Sequence, residues 1–233
     1  MVLLETRVIL PLTIDEFKIG YVYTQNRLRK QNSDQKLNVV DIKSHCYQKP
    51  GTNVQSQNLG LYTRKNLKIL SSIPSWVFKI VPREKILLET QCWNEYPEVV
   101  TTLYHLPFLG KRVSFSLEQT VLADDDGKRK NVFKLNRSEL KERKILQVDI
   151  CDDKITDCLG VAATEDPKRV KNSRCPLRRG WQIKKPHICV YNVFRVDVNI
   201  WGIQTKAEQL ILDNIREVYL KILRFTVCWM NDW

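Results

Sequence analysis

From Ile188 to Trp201 the sequence reads as one long strand, and one of its faces carries Ile188, Val190, Asn192, Phe194, Val196, Val198 and Ile200. Side chains alternate along a strand, so these residues line one surface that has to be covered. A strand of that length needs partners of similar length, and the chain supplies them. Thr6 to Leu12, Leu37 to Cys46, Leu61 to Ile69, Glu84 to Asn94, Val99 to Leu106, Lys111 to Leu122 and Ile145 to Cys151 all read as strands. Asp124-Asp-Asp-Gly127 has the ending of a hairpin turn.

Helices are expected near both ends. Thr13-Ile-Asp-Glu16 matches a capping box and opens a helix through Phe17, Tyr21 and Leu28 to about Lys30. A second helix is predicted from Thr205 to Met230, with an apolar stripe of Ile211, Ile215, Val218, Ile222, Phe225 and Trp229. A short helical piece falls near Ser138 to Lys144. Ser75 to Val81, between Pro74 and Pro82, has room for two turns at most. Lys49 to Gly60 reads as a polar loop. No repeat, linker or low-complexity tract divides the chain. The expectation is one α+β domain, a long antiparallel sheet with a helix near each end.

The informative residues are polar ones set into apolar strand faces. Leu61, Thr63, Lys65, Leu67 and Ile69 share a face, while Tyr62, Arg64, Asn66 and Lys68 form the wet side. Ile86, Leu88, Thr90, Cys92 and Asn94 form another such face, and Asn192 interrupts a third. An ammonium buried at Lys65 requires an anion or a water-filled cavity. Each polar group taken alone is explained by a bond to neighbouring backbone. Three insertions on three strands favour a curved sheet lining a cavity with polar groups at its tip.

Charge narrows the partner without naming it. The chain of 233 residues holds 38 Lys and Arg against 26 Asp and Glu, a formal charge of +12. Such a surplus attracts polyanions, either nucleic acid or an anionic membrane surface. Lys168, Arg169, Lys171, Arg174, Arg178 and Arg179 concentrate it in an irregular segment from Asp166 to Trp181. Aromatic residues do not alternate with basic ones in the manner of an RNA-binding sheet. The opening Met1-Val-Leu-Leu-Glu5-Thr-Arg7 places charges where a signal peptide needs its apolar run. No uncharged run approaches the 18 or so apolar residues that cross a bilayer.

Catalytic and metal signals are weak. GxSxG, HExxH and GxxxxGK are all missing from the sequence. His45, His105 and His187 stand far apart. The seven cysteines, Cys46, Cys92, Cys151, Cys158, Cys175, Cys189 and Cys228, are scattered and form no CxxC pair, so they read as reduced thiols rather than zinc ligands.

Several strings carry a family resemblance: Val8-Ile-Leu-Pro11 with Asp15-Glu16, Tyr62-Thr-Arg-Lys65, Trp93-Asn-Glu-Tyr-Pro97, Glu165-Asp-Pro167, Pro176-Leu177 before Trp181, Trp201-Gly-Ile-Gln204, and Cys228-Trp229 to Trp233. In order and near spacing the chain resembles the phosphatidylinositol transfer proteins along its whole length. Pro74-Ser-Trp76 and the single Trp201 are similar to the retinal-degeneration-B-like branch. The resemblance implies a START-like helix-grip fold whose curved antiparallel sheet and helices enclose one phospholipid. It implies exchange of phosphatidylinositol for a second lipid, phosphatidylcholine or in that branch phosphatidic acid, between membranes, with no enzymatic reaction, cofactor or metal. A cytoplasmic monomer that touches membrane surfaces transiently and binds no nucleic acid is expected. The alternative is a phosphoinositide-sensing or scaffolding module that holds lipid without efficient transfer.

Residue by residue, Thr63, Lys65 and Asn94 match positions that contact the inositol ring, and Thr101 matches a phosphate contact. A further phosphate-contacting threonine aligns near Glu118 to Thr120, where strand alternation favours Gln119 and Thr120 stays open. Asn192 and Tyr21 occupy the phosphate-region positions of a family lysine and glutamine. Val99 replaces a reactive cysteine, and Asn172, beside Ser173, replaces a regulatory serine. Ile200 and Trp201 match tandem tryptophans that touch membrane. The single domain, residues 1 to 233, is expected to lack the family's final closing helix and its inositol-binding glutamate.

Overall fold

A computed structural model describes residues 1–32, 38–48, 59–68, 86–95, 99–151, 165–202 and 204–233. The expected piece from Ser75 to Val81, the Pro74-Ser-Trp76 string, most of the loop from Lys49, Pro97 and Cys158 lie outside the described residues.

The strands are β1 (Val2–Leu10), β2 (Asn38–Gln48), β3 (Leu59–Lys68), β4 (Leu87–Glu95), β5 (Val99–His105), β6 (Val113–Ala123), β7 (Lys144–Val148) and β8 (Ile188–Val198). They form one sheet in the order β2-β3-β4-β5-β6-β8-β1-β7. Among the described residues three α-helices accompany it: α1 (Ile14–Asn32), α2 (Arg137–Glu142) and α3 (Gln204–Cys228). Thus the α+β architecture with a long, mostly antiparallel sheet is present. The exception to antiparallel pairing is β7, which runs parallel to β1 with Thr6 opposite Leu146.

The parallel strand follows from a correction to the expected hairpin at Asp124. No partner strand returns beside β6 from this turn; its neighbour there is β8. Asp125 explains why. Its carboxylate accepts the Gly127 N–H at 2.9 Å, the Tyr191 hydroxyl at 2.5 Å and the Arg129 Nε–H at 2.5 Å. Gly127 meanwhile takes φ +77°. A turn satisfied by a buried side chain has no need of a strand ladder. The chain then crosses the outer face of the sheet, packing Leu135 on Leu3 and Val193. It forms α2 behind a capping box at Asn136 and Glu139 before entering β7.

Two ion networks fasten that crossing. Glu5, fully buried, accepts from Arg7 at 2.7 Å and from Arg143 at 2.6 Å. Arg195 donates to Glu118 at 2.7 Å and to Glu139 at 3.0 Å. A buried carboxylate with two guanidinium partners is satisfied, whereas losing one partner would leave charge uncompensated.

On the inner face α3 lies over β8 and β1, and α1 packs beside it and reaches β6. The α1 capping box is reciprocal: Thr13 Oγ1 accepts the Glu16 N–H at 3.2 Å, and Glu16 accepts the Thr13 N–H at 2.7 Å. The expected α3 stripe holds in part: Phe225 and Trp229 are buried, and Ile211 and Ile222 are half-buried. Val218 is 60% exposed, while Leu212, Tyr219, Leu220 and Leu223 are buried. The Ile215 side chain lies outside the described set. Two surfaces bury this helix: its first half meets the sheet, and its last turns are also covered by α1 and by the segment after Glu165. There Arg224, 1% exposed, donates to the Glu165 carbonyl at 3.1 Å and to Asp166 at 3.1 Å. A stripe drawn at one period cannot follow a change of packing partner.

Candidate functional site

Pairing register decides which side chains share the inner face, since residues directly opposite each other point the same way. One row runs Thr6, Asn192, Gln119, Val100, Asn94, Leu61 across β1, β8, β6, β5, β4 and β3. The next row includes Phe194, Leu117, Thr102, Cys92 and Thr63, and the one after it Phe115, Tyr104, Thr90 and Lys65. Thr63, Lys65, Asn94, Gln119 and Asn192 therefore lie on one face. It is the face on which α3 packs, because Tyr219 stands edge-on to Phe194 at 6.0 Å.

These residues fall into two groups. Thr63, Lys65 and Asn94 sit on β3 and β4, with Thr90 buried and Thr102 half-buried beside them. Thr6, Gln119 and Asn192 sit on β1, β6 and β8, two to five strand spacings away, or about 10 to 24 Å. The first group lies among half-buried Leu67, Leu88 and Val100 and exposed Leu61, away from the strands that α3 covers. It is the accessible part of the face.

The second group is closed. Asn192, fully buried, donates to Thr6 Oγ1 at 3.2 Å, and its Oδ1 has no hydrogen-bond partner among the described residues. Gln119, 6% exposed, donates to the Tyr219 hydroxyl. Tyr21 stacks on Phe17 at 5.1 Å and lies 6.4 Å from the Tyr219 ring. Burial pushes the phenols of Tyr219 and Tyr104 upward, so both remain neutral hydrogen-bonding groups at physiological pH.

Two residues matched to phosphate contacts do not join either group. Thr101 pairs with Glu118 and Trp93, and Thr120 pairs with Tyr191, which places both on the outer face. The inner-face residue of that part of β5 is Thr102. Sequence reasoning missed it because motif spacing does not include the register between β4 and β5. It missed Tyr219 because the expected stripe ran through Val218, and Thr6 because a lone threonine in a strand carries no signal.

The turn after β8 separates its two residues. Trp201 is 99% exposed, and Gly202 follows it at φ +81°. Ile200 is half-buried and packs against the main core. The Asn199 N–H donates to the Arg112 carbonyl at 2.6 Å, joining this turn to the one at Pro107–Arg112. Lys111, Arg112 and Lys206 are exposed nearby, cations that no motif singled out.

One other substituted position has a structural explanation. Asn172 donates to the Val227 carbonyl at 2.9 Å and accepts the N–H groups of Arg174 and Cys175 at 2.9 and 2.7 Å. It bridges the basic segment to the end of α3. Val99 is a half-buried residue at the start of β5.

Comparison with known proteins adds what geometry cannot. Residues 1–233 match the family profile described as "Phosphatidylinositol transfer protein". Phosphatidylinositol transfer protein 1 of Dictyostelium discoideum is 30% identical, over 100% of this chain and 87% of its own length. Cytoplasmic phosphatidylinositol transfer protein 1 of Drosophila melanogaster is 33% identical, over 98% of this chain and 82% of its own. The chain is also 32% identical to 19% of the membrane-associated phosphatidylinositol transfer protein 1 of Rattus norvegicus.

Proposed function

The chain belongs to the phosphatidylinositol transfer protein family, and from that premise we propose that it carries one phospholipid against the inner face of its sheet and exchanges it between membranes. Supporting this reading is the accessible group of Thr63, Lys65 and Asn94 on one face among apolar neighbours. An ammonium, a hydroxyl and an amide complement the ring hydroxyls of phosphatidylinositol. Phosphatidylcholine or phosphatidic acid is the second cargo, held through its acyl chains and phosphate.

Hydrophobic arithmetic sets what such a carrier does. Two acyl chains expose about 30 methylenes, which at about 0.8 kcal/mol each amounts to roughly 25 kcal/mol in water. The carrier acts by covering that surface. No bond is made or broken, and neither cofactor nor metal enters the exchange. It must release cargo at a bilayer, and Trp201 with Lys111, Arg112 and Lys206 is the docking surface. An amphipathic indole in the interface beside cations suits an anionic headgroup layer. The protein acts as a monomer on the cytoplasmic side, touching membranes transiently, and the domain spans residues 1 to 233.

Native mass spectrometry of the purified chain tests binding, with one phospholipid per chain expected. A vesicle-to-vesicle assay with labelled phosphatidylinositol and phosphatidylcholine tests exchange. Retained lipid with no movement between vesicles would reassign the chain as a lipid-sensing module.

A further inference from the structure

At the end of the sheet opposite Trp201, the chain from Arg178 to Lys185 makes a tight turn that is held from inside and bare outside. Trp181, 5% exposed, anchors it in the main core. The Trp181 N–H donates to the Arg178 carbonyl at 3.0 Å, and its carbonyl accepts the Lys184 N–H at 3.0 Å. Gln182 donates to Asp149 at 2.7 Å, and the Lys185 ammonium lies 3.0 Å from Asp124. Asp149 follows β7 and Asp124 follows β6, so both bonds tie the turn to that end of the sheet.

Held in this way, Ile183 is 84% exposed. Arg178, Arg179 and Lys184 surround it in sequence, all exposed, and none of their side chains makes a hydrogen bond or ion pair with a described residue. Among the described residues, Asp124 pairs with Lys185 and Asp126 with Lys128 at 2.5 Å, and Asp149 accepts from Gln182. A single exposed isoleucine is ordinary. An isoleucine fixed at the apex of a bonded turn and flanked by three cations with no side-chain partner among the described residues is a different arrangement.

We propose that the turn from Arg178 to Lys185 is a second membrane-contact surface, selective for anionic lipid and independent of the one at Trp201. A protruding apolar side chain among cations suits a fluid interface, where the side chain enters and the cations meet headgroups. A folded protein partner needs a larger central apolar cluster than one isoleucine. The strand β8, 11 residues long, separates the two surfaces. At about 3.4 Å per residue that is roughly 37 Å, so the two surfaces are separate patches and not one continuous site. The inference goes beyond lipid carriage, because binding at this end requires no cargo.

Co-sedimentation with vesicles tests it, using the full chain with Trp201→Ala, Lys111→Ser, Arg112→Ser and Lys206→Ser to silence the other end. This variant should bind equimolar phosphatidylserine–phosphatidylcholine vesicles and should leave phosphatidylcholine vesicles unbound. Adding Arg178→Ser and Arg179→Ser should weaken binding to the anionic vesicles about 30-fold. Adding Ile183→Ser instead should also weaken it, without changing retention on soluble polyglutamate. Unchanged vesicle binding in the arginine variant overturns the proposal. So does polyglutamate binding as tight as vesicle binding together with indifference to Ile183→Ser, which marks an acidic-peptide surface. Transfer between neutral vesicles reads lipid carriage separately, and Arg178→Ser with Arg179→Ser in the otherwise natural chain should leave it unchanged.

Discussion

The Gln119 side-chain amide donates to the Tyr219 hydroxyl, joining the inner face of β6 to the face of α3 that lies on it. Both residues are nearly buried, at 6% and 4% exposure. Tyr219→Phe should therefore strand the amide and cost about 1–3 kcal/mol in urea unfolding. Adding Gln119→Leu should recover much of that loss, since removing both partners relieves the unsatisfied group. Loss that simply adds in the double variant would mean that packing, not the bond, holds the helix down.

Headgroup choice should depend on Thr63 and Lys65. Lys65→Ala and Thr63→Ala should each lower phosphatidylinositol transfer roughly 5- to 150-fold, the equivalent of about 1–3 kcal/mol. Phosphatidylcholine transfer should fall little, because choline offers no hydroxyls to those groups. Equal loss of both activities would assign these residues to the fold or the gate.

Within β5, strand register separates neighbours that sequence matching cannot. Thr102→Val should impair lipid transfer because Thr102 faces inward with Cys92 and Leu117. Thr101→Val should change transfer by less than about twofold, since it faces outward beside Trp93 and Glu118. The reverse order of effects would show that the lipid-bound sheet uses another register.

Ile200 and Trp201 should separate as well. Trp201→Ala removes an exposed indole, so it should slow transfer several-fold while leaving stability within about 0.5 kcal/mol. Ile200→Ala should lower stability by about 1–2 kcal/mol, because its half-buried side chain packs on the core. Thermal melts alongside transfer rates check both.

The α2 cap gives a pH dependence. The Asn136 N–H, helped by Arg195, holds the Glu139 carboxyl below its ordinary value of 4.5. A depressed folded-state value means the stabilisation is present above pH 4.5 and is lost as pH falls through the folded value. Glu139→Gln should flatten stability across that acid range while keeping the cap. An unchanged acid profile would show that the carboxylate contributes nothing there.

Period-two alternation by itself determined most of the strands, the capping box placed the start of α1, and motif order indicated the family. The inward direction of Thr63, Lys65 and Asn94 was legible because each stands among apolar neighbours in its own strand. What alternation cannot supply is phase between strands, so it could not show that Thr101 and Thr120 stand on the outer face: a one-residue step reverses every side chain. Nor can a local pattern show that Asp125 would satisfy the turn at Gly127 and send the chain across the sheet to make β7 parallel. Tyr219 became a site residue, and Val218 a surface one, only when α3 met its two packing partners. Sequence determines what each segment can bury; contact between segments decides which residues meet, because burial is a property of the pair and not of either strand alone.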